Sequence, residues 1–174
     1  ETTRGQVRFN DPRRFGFLDL IDGPDQENRF LAALGPEPLS DAISPDYLMT
    51  IFRDKASPIK ASLLNQKMVA GLGNIYVCEA LFDSGIKPTR KTGSLKRAEV
   101  TRLCAAIKGV LARAIEAGGS SLRDYKQVSG ELGYFQHAWA VYGRENDDCK
   151  ACKAPIQRIV QSNRSTFFCA ACQR

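Results

Sequence analysis

Through the middle of the chain apolar residues recur every three or four positions, and near both ends they alternate, so the expected elements are helices flanked by short strands. The longest stripe spans about residues 95 to 117. There Val100, Leu103, Cys104, Ile107, Val110, Leu111 and Ile115 share one face, with Ser94 as N-cap and Gly118-Gly119 as terminator. Ser44-Pro45 opens a shorter helix through Phe52, a cap serine followed by a proline at the first helical position, and Ser57-Pro58 repeats the device for residues 59 to 64. Gly71-Leu72-Gly73-Asn74 breaks the pattern before Ile75, Tyr76, Cys78, Leu81 and Phe82 resume it up to Gly85. The middle therefore reads as helix, turns, helix.

The first twenty residues alternate around Val7, Phe9, Phe15 and Phe17, two short strands joined by the turn Asp11-Pro12-Arg13-Arg14. Two strands alone make no stable sheet, so residues 1–20 read as the edge of a sheet whose other strands lie elsewhere, and the chain as a fragment. Residues 21–44, with Gly23-Pro24 and Gly35-Pro36, read as a linker, residues 45–140 as a helical domain and residues 141–174 as a third part without helix signals. The stretch from Ser129 to Gly133 reads as a flexible loop.

Composition narrows the class. With 174 residues, 43% hydrophobic and 25% charged, the chain can bury a real core and is no disordered tail. It contains no apolar run near the roughly 20 residues of a membrane span and no apolar leader, so a soluble protein is expected. Lys and Arg total 25 against 19 acidic residues, giving +6, a balance that suits a polyanion without identifying one.

Cysteine placement says more. Cys78 and Cys104 lie inside apolar helical patterns and read as buried thiols. Cys149-Lys-Ala-Cys152 and Cys169-Ala-Ala-Cys172, sixteen residues apart, have the spacing of a structural zinc site in which two knuckles supply four sulfurs and leave no open position. Paired surface disulfides are the alternative, disfavoured by the lack of a secretory leader and of a spread cysteine framework. Between the knuckles, residues 156–161 and 165–168 read as strands around Ser162-Asn163-Arg164. So short a stretch cannot fold unaided, and zinc would contribute on the order of 10 kcal/mol to it. The hairpin tip would then aim Arg164, between Arg158 and Arg174. The Gly71-Asn74 turn, opening a helix near Lys60 and Lys67, could present backbone N–H groups to a phosphate of DNA, although such a turn is often no more than a turn. No convincing buried strand precedes it and no βαβ unit surrounds it, which argues against a dinucleotide site.

Four segments together, Asp11-Pro-Arg-Arg-Phe-Gly16, Lys67-Met-Val-Ala-Gly-Leu-Gly-Asn-Ile-Tyr76, Gly118-Gly-Ser-Ser-Leu-Arg-Asp-Tyr125 and Asn163-Arg-Ser-Thr-Phe-Phe-Cys169, resemble the formamidopyrimidine-DNA glycosylase family in the correct order. The resemblance implies an α+β architecture: the last strands of an N-terminal β-sandwich, a helix–two-turn–helix DNA-binding domain and a C-terminal four-cysteine zinc finger carrying one structural Zn²⁺ on Cys149, Cys152, Cys169 and Cys172. It implies a bacterial, cytoplasmic, monomeric base-excision repair enzyme that binds damaged duplex DNA. Such enzymes excise oxidised purines such as 8-oxoguanine and formamidopyrimidines, then cleave the abasic site by β,δ-elimination. By the same resemblance Phe15 is the aromatic wedge, Arg13 contacts the orphaned cytosine, and Lys60, Asn74, Tyr142, Arg158 and Arg164 grip phosphates. Residues 128–136 would close over the extruded base.

The family's nucleophile, the amine of an N-terminal proline followed by a glutamate, has no counterpart at Glu1-Thr2-Thr3, so no catalytic residue is assigned and the 174 residues alone are expected to be inactive. Two further departures are Lys153 and Asn163, where glycine is usual; asparagine tolerates the left-handed conformation, whereas lysine would strain the knuckle. A non-catalytic zinc DNA-binding module and an endonuclease VIII-type enzyme for oxidised pyrimidines remain as alternatives, the latter typically without the Asp-Pro-Arg-Arg-Phe-Gly pattern.

Overall fold

The computed structural model describes residues 5–6, 8–11, 14, 16–20, 28, 31–119 and 138–174. Expectations for Arg13, Phe15 and the 128–136 loop fall outside the described residues. The chain forms two compact units, Glu1–Ala33 and Leu34–Arg174.

In the first unit the expected turn is present: Arg14 N–H donates to the Asp11 carbonyl at 3.1 Å and Gly16 N–H to the Asp11 carboxylate at 2.6 Å. The expected strands are not found among the described residues, where Gly5 alone makes a bridge. Phe9, Phe17, Leu18 and Leu20 stand exposed.

The second unit holds α1 (Pro45–Phe52), α2 (Ile59–Leu63), α3 (Asn74–Asp83), a 3₁₀ turn (Thr92–Ser94), α4 (Arg97–Glu116), β1 (Ile156–Gln161) and β2 (Arg164–Cys169). Ser44 caps α1 as expected, its hydroxyl accepting Tyr47 N–H at 3.2 Å ahead of Pro45. Ser57 does not cap α2. Pro58 occupies the N-cap, and the Ser57 hydroxyl lies 2.8 Å from that of Ser62 while its carbonyl accepts from Thr92 Oγ1 at 2.7 Å. The N-cap of the long helix is Lys96 and not Ser94, which belongs to the 3₁₀ turn; the Glu99 carboxylate accepts Lys96 N–H at 2.8 Å and pairs with Arg90. Its buried stripe turns toward Ala114, leaving Ile115 65% exposed, because a straight helix drifts away from a fixed three-four repeat.

Residues 34–44 are no linker. Ile43 is buried in the helical core, and Gly35 N–H donates to the Gln66 carbonyl at 2.8 Å where a Cβ would stand 2.7 Å from the Met68 backbone. The helical part therefore starts at Leu34; its glycine and prolines are spent on close packing as well as turning.

Two cores result. Helices α1 to α4 enclose Leu48, Phe52, Leu63, Val77, Leu81, Leu103 and Ile107, with Cys104 at its margin. A smaller cluster of Cys78, Val141, Cys149, Ile156, Phe167 and Cys169 seats the hairpin on α3. β1 and β2 pair antiparallel from Ile156↔Cys169 to Gln161↔Arg164. Ser162 (φ 49°) and Asn163 (φ 58°) are both left-handed, the I′ turn whose twist matches the strands it joins. Among the described residues no helix is long and apolar enough to cross a membrane.

Candidate zinc centre and nucleic-acid interface

The Sγ atoms of Cys149, Cys152, Cys169 and Cys172 all lie within 4.8 Å of one another, with Cys152 and Cys169 at 3.4 Å and Cys149 and Cys172 at 4.0 Å. Four sulfurs about 2.3 Å from one tetrahedral Zn²⁺ stand about 3.8 Å apart, so the donor set fits the ion in number, softness and spacing. Cys149 is opposed by burial, but backbone N–H groups of Cys152 and Ala151, with the neighbouring thiols, bring it down to about 7. Cys172, hydrogen-bonded to Cys152, is pushed up to about 12. Crowded thiols ionise unequally, and the divalent ion supplies the charge that allows four thiolates together. The knuckle after Cys152 closes through Lys153, whose N–H donates to the Cys149 carbonyl at 2.9 Å with φ at 67°. The expected strain is thus present, where glycine would carry none.

Around Ser165 the structure gathers most of the residues expected to touch DNA. Its carbonyl accepts from Lys60 Nζ at 3.0 Å and from Asn74 Nδ2 at 2.9 Å, and its hydroxyl from Arg158 Nε at 3.1 Å. Asn74 Nδ2 also reaches the Tyr142 hydroxyl at 3.4 Å. Arg164, next in chain and exposed, follows the I′ turn and opens β2. Gly73, with extended backbone, stands before Asn74 with open space where a side chain would be.

Lys60, expected to grip a phosphate, lies beneath this cluster. It is fully buried, its ammonium also donating to Thr166 Oγ1 at 2.6 Å, so it braces the hairpin from beneath and presents nothing to solvent. Burial draws its pKa down, with Cys78 opposing the shift and Arg164 adding to it.

Three partners were invisible in the sequence. Glu79, buried on α3, accepts the N–H groups of Ala140 at 2.7 Å, Val141 at 3.0 Å and Tyr142 at 2.8 Å. Thr166 holds Lys60, and Gln173 joins Cys169 N–H to the Ile86 carbonyl, at 2.8 Å and 2.9 Å. The one available signal was a glutamate set within the apolar stripe of α3.

Comparison with known proteins agrees with this geometry. Residues 34–126 match the model of the formamidopyrimidine-DNA glycosylase H2TH domain, and residues 148–174 that of a zinc finger found in FPG and IleRS. Formamidopyrimidine-DNA glycosylase of Ruegeria pomeroyi is 52% identical over 97% of this chain and 61% of its own length. That of Acidiphilium cryptum is 55% identical over 100% and 66%. The chain thus spans less than two thirds of these relatives. The solved MutM (FPG) protein of Thermus thermophilus superposes with a TM-score of 0.86 at 46% identity, over 94% of this chain and 62% of that one. Lactococcus lactis Fpg, solved in complex with DNA containing an abasic site, gives 0.77 at 38% over 83% and 54%. With its helical domain and its four-cysteine finger both matched, the chain belongs to the formamidopyrimidine-DNA glycosylase family.

Proposed function

We propose that these residues are the duplex-gripping part of a DNA base-excision repair enzyme, a bifunctional glycosylase and AP lyase for oxidised purines acting as a monomer in the bacterial cytoplasm. The observation that supports it best is the convergence on Ser165: Asn74 and Arg158 bond it directly, Arg164 adjoins it, and Tyr142 joins through Asn74. Arg158 and Arg164 supply charge to backbone phosphates, and Asn74 and Tyr142 supply polar contacts beside the open Gly73. Lys60 stays out of this set, as the brace beneath it. Related proteins have been solved with DNA containing Fapy-dG and carbocyclic 8-oxo-G, which supports oxidised guanine as the lesion class. Within the whole enzyme residues 1–20 pair as the last strands of the sandwich, with the exposed Phe9, Phe17, Leu18 and Leu20 as packing surface and with Arg13 and Phe15 filling the gap left by the flipped base.

Excision by this family's chemistry needs an amine that attacks the sugar C1′, and none of these residues is proposed for that role. Lys60, the lysine nearest the proposed interface, is buried with its ammonium hydrogen-bonded twice. Borohydride trapping on an 8-oxoguanine duplex tests the assignment. The 174 residues alone should trap no covalent adduct, and the same residues joined to the N-terminal third of the Acidiphilium cryptum relative should trap one. An adduct on the 174-residue chain would overturn it.

A further inference from the structure

Glu79 is the one buried acidic residue among those described, 4% exposed, and the described salt bridges give it no cationic partner. Its charge is met by backbone: Oε2 accepts Ala140 N–H and Oε1 accepts Val141 and Tyr142 N–H, at 2.7, 3.0 and 2.8 Å. Three consecutive N–H groups point one way only where the chain is curled, and an ionised carboxylate, an acceptor on every lone pair, suits that concavity. The curl delivers Tyr142. Its ring meets Trp139 edge-on at 5.1 Å and Phe167 at 5.0 Å, and its hydroxyl lies at Asn74.

We propose that Glu79 is a positioning residue for DNA binding, acting through the backbone of residues 140–142 to set the Tyr142 hydroxyl beside Asn74. This rests on Tyr142 being a phosphate contact. Glutamine is nearly isosteric with glutamate, yet its amide NH₂ would face the Ala140 N–H donor or one of its neighbours, so Glu79→Gln loses a hydrogen bond and gains an opposed donor pair.

The proposal predicts a specific signature. Tyr142 is uncharged, so displacing it weakens binding without releasing fewer counterions: affinity drops while the salt slope stays, unlike the loss of an arginine. A thermodynamic cycle on the 174-residue chain, titrated against a fluorescent duplex carrying a tetrahydrofuran abasic analogue, tests it. Tyr142→Phe should cost about fivefold in affinity, Glu79→Gln about as much or more, and the double variant no more than Glu79→Gln alone, all with one zinc per chain and an unchanged salt slope. Additive losses would overturn the proposal while leaving Tyr142 as a contact, and so would a flattened slope in Glu79→Gln, which would mean that the whole hairpin had moved. A silent Tyr142→Phe would overturn the reading of Tyr142 itself, and the proposal with it. Should Glu79→Gln fail to fold, Glu79→Asp carries the same cycle, its shorter carboxylate keeping the charge but not all three bonds.

Discussion

Lys60 Nζ donates to the carbonyl of Ser165 at 3.0 Å across 105 residues of sequence, tying the short helix α2 to the strand that carries Arg164. Because Asn74 shares the same carbonyl, α2, α3 and the zinc hairpin meet at one atom. A buried ammonium with no carboxylate within the described salt bridges costs stability by itself, so its position argues for a specific geometry being held.

That arrangement gives Lys60 a signature in pH. Its pKa is lowered in the fold, chiefly by burial, so near neutrality the folded state carries a desolvation cost that the unfolded chain does not. As pH rises toward about 10.4, the ordinary lysine value, the unfolded chain holds more protons than the folded one and the cost is relieved. Wild type should therefore gain stability relative to Lys60→Met across that rise, measured as the difference between two urea-unfolding series. A difference independent of pH would mean that the ammonium is not desolvated.

Arg164→Ala should weaken binding to an abasic-analogue duplex and flatten the log–log salt slope by about one unit, because a rigid I′ turn holds one exposed cation at the hairpin tip. Fluorescence anisotropy over a range of salt measures both quantities. Unchanged affinity and slope would return Arg164 to an ordinary solvated charge.

Lys153 carries φ 67° inside the first zinc knuckle, and its side chain is exposed. Lys153→Gly should stabilise the finger by about 0.5–1 kcal/mol, the left-handed penalty removed less the entropy that glycine adds to the unfolded chain. The Cys149 carbonyl keeps its N–H partner in that variant, so the effect isolates the backbone. Thermal melts of the zinc-loaded chain decide; a loss of stability would show that the lysine side chain contributes something the strain argument omits.

What the sequence reveals here is what is local. The cysteine spacing, the Ser44 cap, the Gly71 to Asn74 break and the left-handed Asn163 each depend on a few neighbouring residues, and each stands in the structure. Lys60 and Glu79 were illegible for the opposite reason. Charged residues are read as solvent-facing, and the partners that make their burial tolerable lie 105 and 106 positions away for Lys60 and 61 to 63 for Glu79. Ser57 misled because a Ser-Pro pair signals a cap only where the serine hydroxyl has no better partner, and Ser62 is one. Gly35-Pro36 suggested a linker, although Gly35 serves a close backbone approach to Met68.

The central claim is that the phosphate-gripping surface is assembled only when the zinc hairpin is seated on the helices. The most direct test is the salt-dependent binding of the 174-residue chain to an abasic-analogue duplex, with zinc bound, stripped by chelator and restored. With zinc, binding should show a salt slope to which Arg158 and Arg164 together contribute about two units; without it, that contribution should vanish while the helical signal of α1 to α4 persists on its separate core, and zinc should restore it. Binding with the same affinity and slope in the stripped chain would contradict the claim, because the helices alone would then be holding the DNA.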